Sequence, residues 1–403
     1  MTHAAPPSPP PAALAAALLG VIALLPILSL FSAMALTPAL LIVAGLLVAH
    51  LGLGRLRGAI AARPRAEWAI FLAALAWPLL SAVWSITPAV SLLTALRVDA
   101  LMLIGAAAMI CTRHVAIPAR ATLLLSMAVC LCTALLISEV IPGGGIIRWA
   151  HAALGLDYAR FIDKNINRGL CALVLLTWLA VAALQGAGHR RAAQVLPFVF
   201  ALTVLGFDSL SAQVAIFLSI AVFYAVLMAP NAMPRLLSVL IPAVLLAWPL
   251  AFPFLDRAFF STPDIYANLP DTAQHRVEIW RFVSERIAEH PWLGWGMDTS
   301  RAMPGGDVVY FGERKYLPLH PHNSAFQILL ELGVVGFGLA VSCIALALRR
   351  WAQPLDTPAH RQAIAAALIV SFLSVGFTAF GVWQYWWIAA GWLAAVVWRV
   401  QRS

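Results

Sequence analysis

The sequence predicts an all-α fold, a polytopic membrane protein of about twelve transmembrane helices with a large, partly helical extramembrane loop between helices 9 and 10. Three observations carry this expectation. Of 403 residues, 62% are hydrophobic and 11% charged, against about 45–50% and about 25% in soluble domains. Apolar runs close to the roughly 20 residues that cross a bilayer recur along almost the whole chain. Arginine is concentrated between those runs, on alternate sides, as it is where cytoplasmic loops retain positive charge.

This composition excludes a soluble enzyme. It also removes the usual reading of a net charge of +9, which in a soluble chain would suggest nucleic acid; here the excess follows from loop arginines and no nucleic-acid partner is expected. The five cysteines, Cys111, Cys130, Cys132, Cys171 and Cys343, lie in or beside apolar runs without metal-ligand spacing and read as small core residues.

Met1 to Pro11 is rich in proline and reads as an extended, disordered cytoplasmic tail. No Lys or Arg precedes the first apolar run and no small-residue cleavage site ends it, so the reading is a first span and not a signal peptide. Residues 12–255 hold nine runs, near Ala12–Leu30, Pro38–Leu53, Trp68–Trp84, Val90–Ile110, Ala121–Ile141, Gly169–Leu184, Ala192–Phe207, Leu210–Met228 and Leu236–Phe254. A continuous helix from Ala192 to Met228 would be about 55 Å long at 1.5 Å per residue, too long for one crossing, which places a break at Asp208–Ser209. Residues 324–403 hold three more runs, Ser324–Leu348, Ala363–Phe380 and Trp383–Trp398, then a cytoplasmic tail.

With both termini inside, every inside loop is basic: Arg55, Arg57, Arg63 and Arg65; Arg113 and Arg120; Arg190 and Arg191; Arg235; Arg349, Arg350 and Arg361; Arg399 and Arg402. The short outside loops near Ser32, Ile86, Asp208 and Gly381 carry no Lys or Arg. Two outside segments depart from this rule. One is 142–168, with Arg148, Arg160, Lys164 and Arg168; the other is 256–323, which holds more than half of the acidic residues together with seven Arg or Lys. Such density suits a small folded element. Within it a helix is expected from Thr272 to His290, capped by Asp271 or Thr272, with Val277, Trp280, Val283 and Ile287 as its apolar stripe and Pro291 as its stop.

The segment ends in Leu319-His320-Pro321-His322-Asn323, ahead of an apolar helix whose Ser324 and Gln327 have capping-box spacing. His322 is therefore expected at a helix N-terminus. The positive end of a helix disfavours imidazolium and attracts anions, which suits a neutral general base beside a negatively charged ligand. The plainer reading is an interfacial turn that hydrogen-bonds a carbonyl, and from the residues alone both stand. A zinc site on His320 and His322 is a weaker third, without companions at metal spacing. Arg276 and Arg168 are candidates for gripping a diphosphate, since guanidinium offers parallel donors and stays charged; a surface ion pair and an interfacial anchor are the alternatives. Arg97 lies inside an apolar run, where an ionisable group is costly, and is either substrate-binding or paired with Asp99. Lys164, Arg301, His320 and Asn323 complete the substrate-binding candidates.

Three stretches together resemble the bacterial O-antigen ligase and polymerase superfamily: Arg276-Val277-Glu278-Ile279-Trp280, His290-Pro291-Trp292-Leu293-Gly294-Trp295-Gly296, and His322-Asn323 followed by Gly333 and Gly336. The resemblance is strongest over Gln274–Gly338. It implies an inner-membrane glycosyltransferase whose loop faces the periplasm and which needs neither metal nor other cofactor. The donor would be an undecaprenyl-diphosphate-linked glycan, the acceptor a sugar hydroxyl of lipid A–core, the general base His322 and a diphosphate-binding residue Arg276. One departure stands out. Where many members carry Ser-Arg at the start of a helix after a short hairpin, this chain reads Asp208-Ser209-Leu210-Ser211-Ala212-Gln213. Arg168, with Lys164 and Arg160 nearby, is the candidate substitute.

A polymerase that joins glycan repeats is the alternative within the superfamily. A polysaccharide transporter or flippase is the alternative outside it, although no internal repeat is evident. The aromatic stretch Trp383-Gln384-Tyr385-Trp386-Trp387 reads as an interfacial belt or, less simply, as a partner-binding scaffold surface.

Overall fold

Long runs of Leu, Ala, Val and Ile with few interior charges leave the backbone no partner but itself, and the computed structural model is accordingly built of helices. The structure describes residues 11–61, 65–353 and 357–402, without the side chains of Arg65, Ala119, Asp163, Lys164, Phe311 and Arg402. The expected tail at residues 1–10 and Arg63 lie outside the described residues.

The order is α1 (Ala12–Ser32), α2 (Leu36–Leu51), α3 (Leu53–Ala61), α4 (Arg65–Ser81), α5 (Pro88–Cys111), α6 (Leu123–Val140), α7 (Ile146–Ala153), α8 (Tyr158–Phe161) and α9 (Asn167–Gly186). There follow α10 (Arg190–Val204), α11 (Leu210–Met228), α12 (Met233–Leu255), α13 (Pro263–Ala267), α14 (Asp271–Glu289), α15 (Ser324–Trp351), α16 (Ala359–Thr378) and α17 (Tyr385–Val400). Among the described residues, strand is confined to two short pairs. β1 (Ile117–Pro118) runs parallel to β4 (Gln401–Arg402), and β2 (Val309–Phe311) runs antiparallel to β3 (Arg314–Lys315) in the segment before α15.

Every apolar run of the sequence falls on a helix, and the chain does break between Val204 and Leu210. Among the described residues, 8 helical stretches are long and apolar enough to cross a membrane, the first of them, Ala12–Leu51, holding both α1 and α2. α4, α10 and α17 are shorter, at 17, 15 and 16 residues. The fold is all-α and multi-pass. At its centre α9 is buried along nearly its whole length, packed by α1, α6, α10, α11, α16 and α17. Leu93, Leu202, Val239 and Leu250 point outward on the periphery, as side chains facing lipid do.

Helix α14 spans Asp271–Glu289, close to expectation, but its cap is Pro270 without a side-chain bond; Asp271 instead pairs with Arg314 at 2.8 Å. Its stripe of Val277, Trp280, Val283 and Ile287 packs with Phe252 of α12 and with Phe326 and Leu330 of α15. The polar segment is thereby seated on the bundle by the same burial that makes α14 amphipathic.

Helix α15 is two helices in one. At Gly333 the backbone takes φ 65° and ψ −173°, outside the helical region. The groups this frees are taken up by the chain itself. Trp295 N–H and Gly296 N–H donate to the carbonyls of Leu330 and Glu331 at 3.0 and 2.8 Å, Val334 N–H donates to Pro291 O at 2.9 Å, and Trp77 Nε1 donates to Leu332 O at 2.9 Å. The His290–Gly296 stretch thus fills the break, which satisfies irregular backbone that lipid could not. A Cβ at Gly333 would stand 2.2 Å from the carbonyl oxygen of Trp292.

Candidate active site

The first half of α15 carries the histidine turn. Its cap is Asn323, whose side-chain oxygen accepts from Ala325 N–H at 3.0 Å and Phe326 N–H at 3.1 Å. The expected Ser324–Gln327 capping box does not form: Asn323 occupies the capping position and Gln327 faces inward, accepting from Val382 N–H at 2.9 Å and donating to Glu331 at 3.1 Å. His322 immediately precedes the cap in the left-handed region, φ 53°. Its Nδ1 lies 2.7 Å from the carbonyl oxygen of Ala379. A carbonyl can only accept, so Nδ1 carries the proton and the lone pair of the neutral ring is on Nε2.

His320 is buried and orients its partner. The backbone N–H of His322 donates to His320 Nδ1 at 3.2 Å, and the two rings stand 4.3 Å apart. Burial pushes the His320 pKa down to about 3, with the charges of His322 and Arg301 adding to the effect. The His322 pKa is also lowered, chiefly by burial; its bond to Ala379 opposes this and the charges of Arg276 and His275 reinforce it. Both rings are therefore neutral near pH 7.

Arg276 is half-buried on α14, and burial lowers its own pKa. The contrast with Arg281 on the same helix is informative. Arg281 is neutralised by Asp256 at 2.7 Å and Glu278 at 2.6 Å, whereas Arg276 forms no ion pair among the described residues, which sets aside the surface-pair reading. One turn beyond Arg276, Trp280 Nε1 donates to Pro321 O at 2.9 Å while its ring stacks on Phe326. The helix that carries the guanidinium is in this way fastened to the histidine turn. Arg301, exposed in the short turn Ser300–Ala302, acts electrostatically on His320 and on Asp298.

The remaining candidates divide. Arg168 is half-buried at the start of α9, next to Asn167, which accepts from Ser209 Oγ at 2.6 Å. Two residues on, Ser211 Oγ donates to Thr378 O at 3.2 Å, next to the Ala379 that holds His322. Arg168, the arginine-free 208–213 turn and the histidine turn therefore share one end of the bundle, although no direct bond joins Arg168 to His322 among the described residues. The Lys164 side chain lies outside the described residues. Arg97 is exposed on α5 and forms no ion pair with Asp99, which is buried. No group of three or more His, Cys, Asp or Glu among the described residues is arranged to hold a metal.

Glu331 is not among the residues that the sequence singles out. Fully buried one turn past Gln327, it accepts from Asp298 N–H at 2.6 Å, from Trp383 Nε1 at 2.5 Å, from Gln327 Nε2 at 3.1 Å, and from the hydroxyl and backbone N–H of Ser300. One carboxylate thus ties α15 to the 297–300 turn and to the 379–384 turn. The signal was present: an acid inside an apolar run warrants the scrutiny given to Arg97. Trp383, read as part of an interfacial belt, is instead anchored here through its indole nitrogen.

Residues 195–341 match the family model described as O-antigen ligase. Among curated proteins, one from Rickettsia conorii with the provisional name polysaccharide ligase is 30% identical over 232 residues, covering 56% of this chain and 55% of its own length. Another of the same provisional name, from Rickettsia felis, is 28% identical over 324 residues, covering 78% of this chain and 76% of its own length. With a relative from Rickettsia prowazekii, 29% identical, the match covers 56% of each chain, so the chain spans just over half the length of the first relatives it matches. No solved structure matches. The matched region contains α14, the His290–Gly296 stretch, the histidine turn and the break in α15, and it is over these elements that the chain is similar to the O-antigen ligase family.

Proposed function

We propose that this protein is a glycosyltransferase of the O-antigen ligase type, working at the outer face of the bacterial inner membrane with segment 256–323 in the periplasm. It moves a glycan from undecaprenyl diphosphate to a sugar hydroxyl of lipid A–core. The observation that carries the proposal is the His322–Ala379 bond, which leaves the Nε2 lone pair as the base, within electrostatic reach of Arg276, a cation with no carboxylate partner among the described residues. The provisional name of the rickettsial relatives points the same way.

In the reaction, the acceptor O–H gives its proton to Nε2 of His322 as the oxygen forms its bond to the anomeric carbon. The bond from that carbon to the diphosphate oxygen breaks, and undecaprenyl diphosphate leaves with the electron pair. Attack opposite the leaving group inverts the anomeric centre. Arg276 stands where the departing charge grows, and Arg168 contributes from the same end of the bundle. The proton on imidazolium then passes to solvent.

The test is transfer by the purified full chain, given an undecaprenyl-diphosphate-linked O-antigen repeat and rough lipopolysaccharide. General-base catalysis is worth about 10²–10⁴ in rate, so His322→Ala, folded by its melting profile, should lose at least about a hundredfold in kcat. Undiminished transfer by that variant refutes the assignment. A product in which two donor glycans are joined, with lipopolysaccharide untouched, would make the chain a polymerase.

A further inference from the structure

Among the described residues, two that are not glycine have positive φ: His322 at 53° and Asp298 at 58°. The first is the proposed base. The second has no part in the mechanism above, yet the structure spends a buried carboxylate on it. Glu331 takes the Asp298 N–H at 2.6 Å and, on the same oxygen, the indole N–H of Trp383 at 2.5 Å. Thr94 Oγ1 of α5 donates to Asp298 Oδ2 at 2.9 Å, and no hydrogen bond to Oδ1 is present among the described residues. Asp298 and Trp383 are both half-buried, so each keeps an open side.

These residues adjoin the histidine turn. Gly381, two residues before Trp383, packs so closely on His320 that a Cβ there would be 3.2 Å from its ring. The charge of Arg301 reaches both Asp298 and His320. The turn is thus flanked by unlike surroundings, with the unneutralised Arg276 on the α14 side and, on the α5 side, the Asp298 carboxylate, in reach of the Arg301 charge, and the Trp383 indole, the two residues joined through one oxygen of Glu331.

We infer that Asp298 and Trp383 form the subsite for the acceptor, and that its occupant is an uncharged, polyhydroxylated ring, namely the sugar whose hydroxyl is activated. This rests on the proposed transfer reaction. A diphosphate is repelled by Asp298 and drawn to Arg276, so the polarity across the turn separates the two substrates. A carboxylate oxygen accepts from sugar hydroxyls, while an indole face covers the apolar C–H face of a pyranose. Held by Glu331 and Thr94, both groups are fixed before the acceptor arrives, which lowers the ordering cost of binding. The left-handed backbone at Asp298, tolerated by Asp better than by most residues, is the kind of conformation found where a side chain is held in place for a ligand.

The test is steady-state kinetics of the full chain in detergent, with rough lipopolysaccharide and the undecaprenyl-diphosphate-linked repeat varied in turn. Asp298→Asn should raise KM for lipopolysaccharide by about tenfold or more, the usual effect of losing one charged hydrogen bond; Trp383→Leu, which removes the stacking face, should raise the same constant, and both should leave KM for the lipid-linked donor within about twofold. Thr94→Val, which only frees the Asp298 side chain, should give a smaller rise in the same constant and covers the case in which Asp298→Asn fails to fold. A rise in the donor constant, or no change in either, overturns the inference and leaves the transfer reaction standing. Absence of any transfer by the unaltered chain removes the reaction and the inference together.

Discussion

His322 donates its Nδ1 proton to the carbonyl oxygen of Ala379, 2.7 Å away and 57 residues further along the chain. That bond sets the tautomer of the proposed base from a turn between two other helices, so the reactive nitrogen depends on how α16 and α17 are joined.

The rate should follow the state of that ring. His322 must be neutral to accept a proton, and burial holds its pKa below the ordinary 6.5. Transfer should therefore be flat from pH 8 down to about 6.5 and decline only on further acidification. A profile of kcat against pH whose acid limb is centred above 7 would contradict this.

Stability should fall in the same acidic range. His320 and His322 have folded-state pKa values below their unfolded ones, so the unfolded chain binds more protons once the pH drops below about 6.5. Stability is intact above that point and declines as the pH falls toward about 3, the value for His320. The melting temperature should fall between pH 7 and pH 5. In His320→Asn, which keeps an acceptor near Nδ1, the fall should be smaller, and an equal fall would show that other groups cause it.

Gly333→Ala should be far more harmful than Gly338→Ala. The first puts a Cβ 2.2 Å from Trp292 O at a left-handed φ, whereas the second meets nothing within 4 Å. In a helix, Ala is favoured over Gly by about 0.8–1.0 kcal/mol, so Gly338→Ala should hold or raise the melting temperature. Gly333→Ala should lower it sharply or prevent folding, as read by size-exclusion chromatography in detergent.

Glu331→Ala should destabilise more than Glu331→Gln. A buried donor left without an acceptor costs about 1–3 kcal/mol, and Glu331 serves donors from Ser300, Asp298, Gln327 and Trp383. Glutamine keeps one oxygen, alanine none. Equal melting temperatures for the two variants would mean that the network contributes little.

Trp280→Phe separates packing from hydrogen bonding. It retains an aromatic ring against Phe326 and loses the 2.9 Å bond to Pro321 O. A loss of about 0.5–1.5 kcal/mol is expected, together with a several-fold fall in kcat at little cost in KM. If kcat is unchanged, the α14 contact does not position the histidine turn.

How much of this was legible beforehand depends on the range of the interaction. Helix α14 was readable because its stripe and the Pro291 stop are local. The cap of α15 differs from expectation by one residue because Ser324 with Gln327 also fits the spacing, and it is the long-range bond from Val382 N–H that draws Gln327 inward, where it donates to Glu331 one turn on. His322 and Arg276 were found through their surroundings in the sequence, but the neutral state of His322 owes most to burial and to Ala379, which spacing cannot show. Helix α10 stops at Val204, short of the expected Phe207, whose carbonyl oxygen instead accepts from Gln213 Nε2 at 3.0 Å beyond the last helical turn.

The interruption at Gly333 also resets rotational register. In an unbroken α-helix one inserted residue turns everything beyond it by about 100°. Here Ser324–Leu332 is pinned from the side by Trp77, Trp295 and Gly296, so the azimuth of His322 is set by those clamps and not by the helix that continues into the membrane. The membrane-embedded half can change length or pitch while the chemistry it leads up to stays aimed.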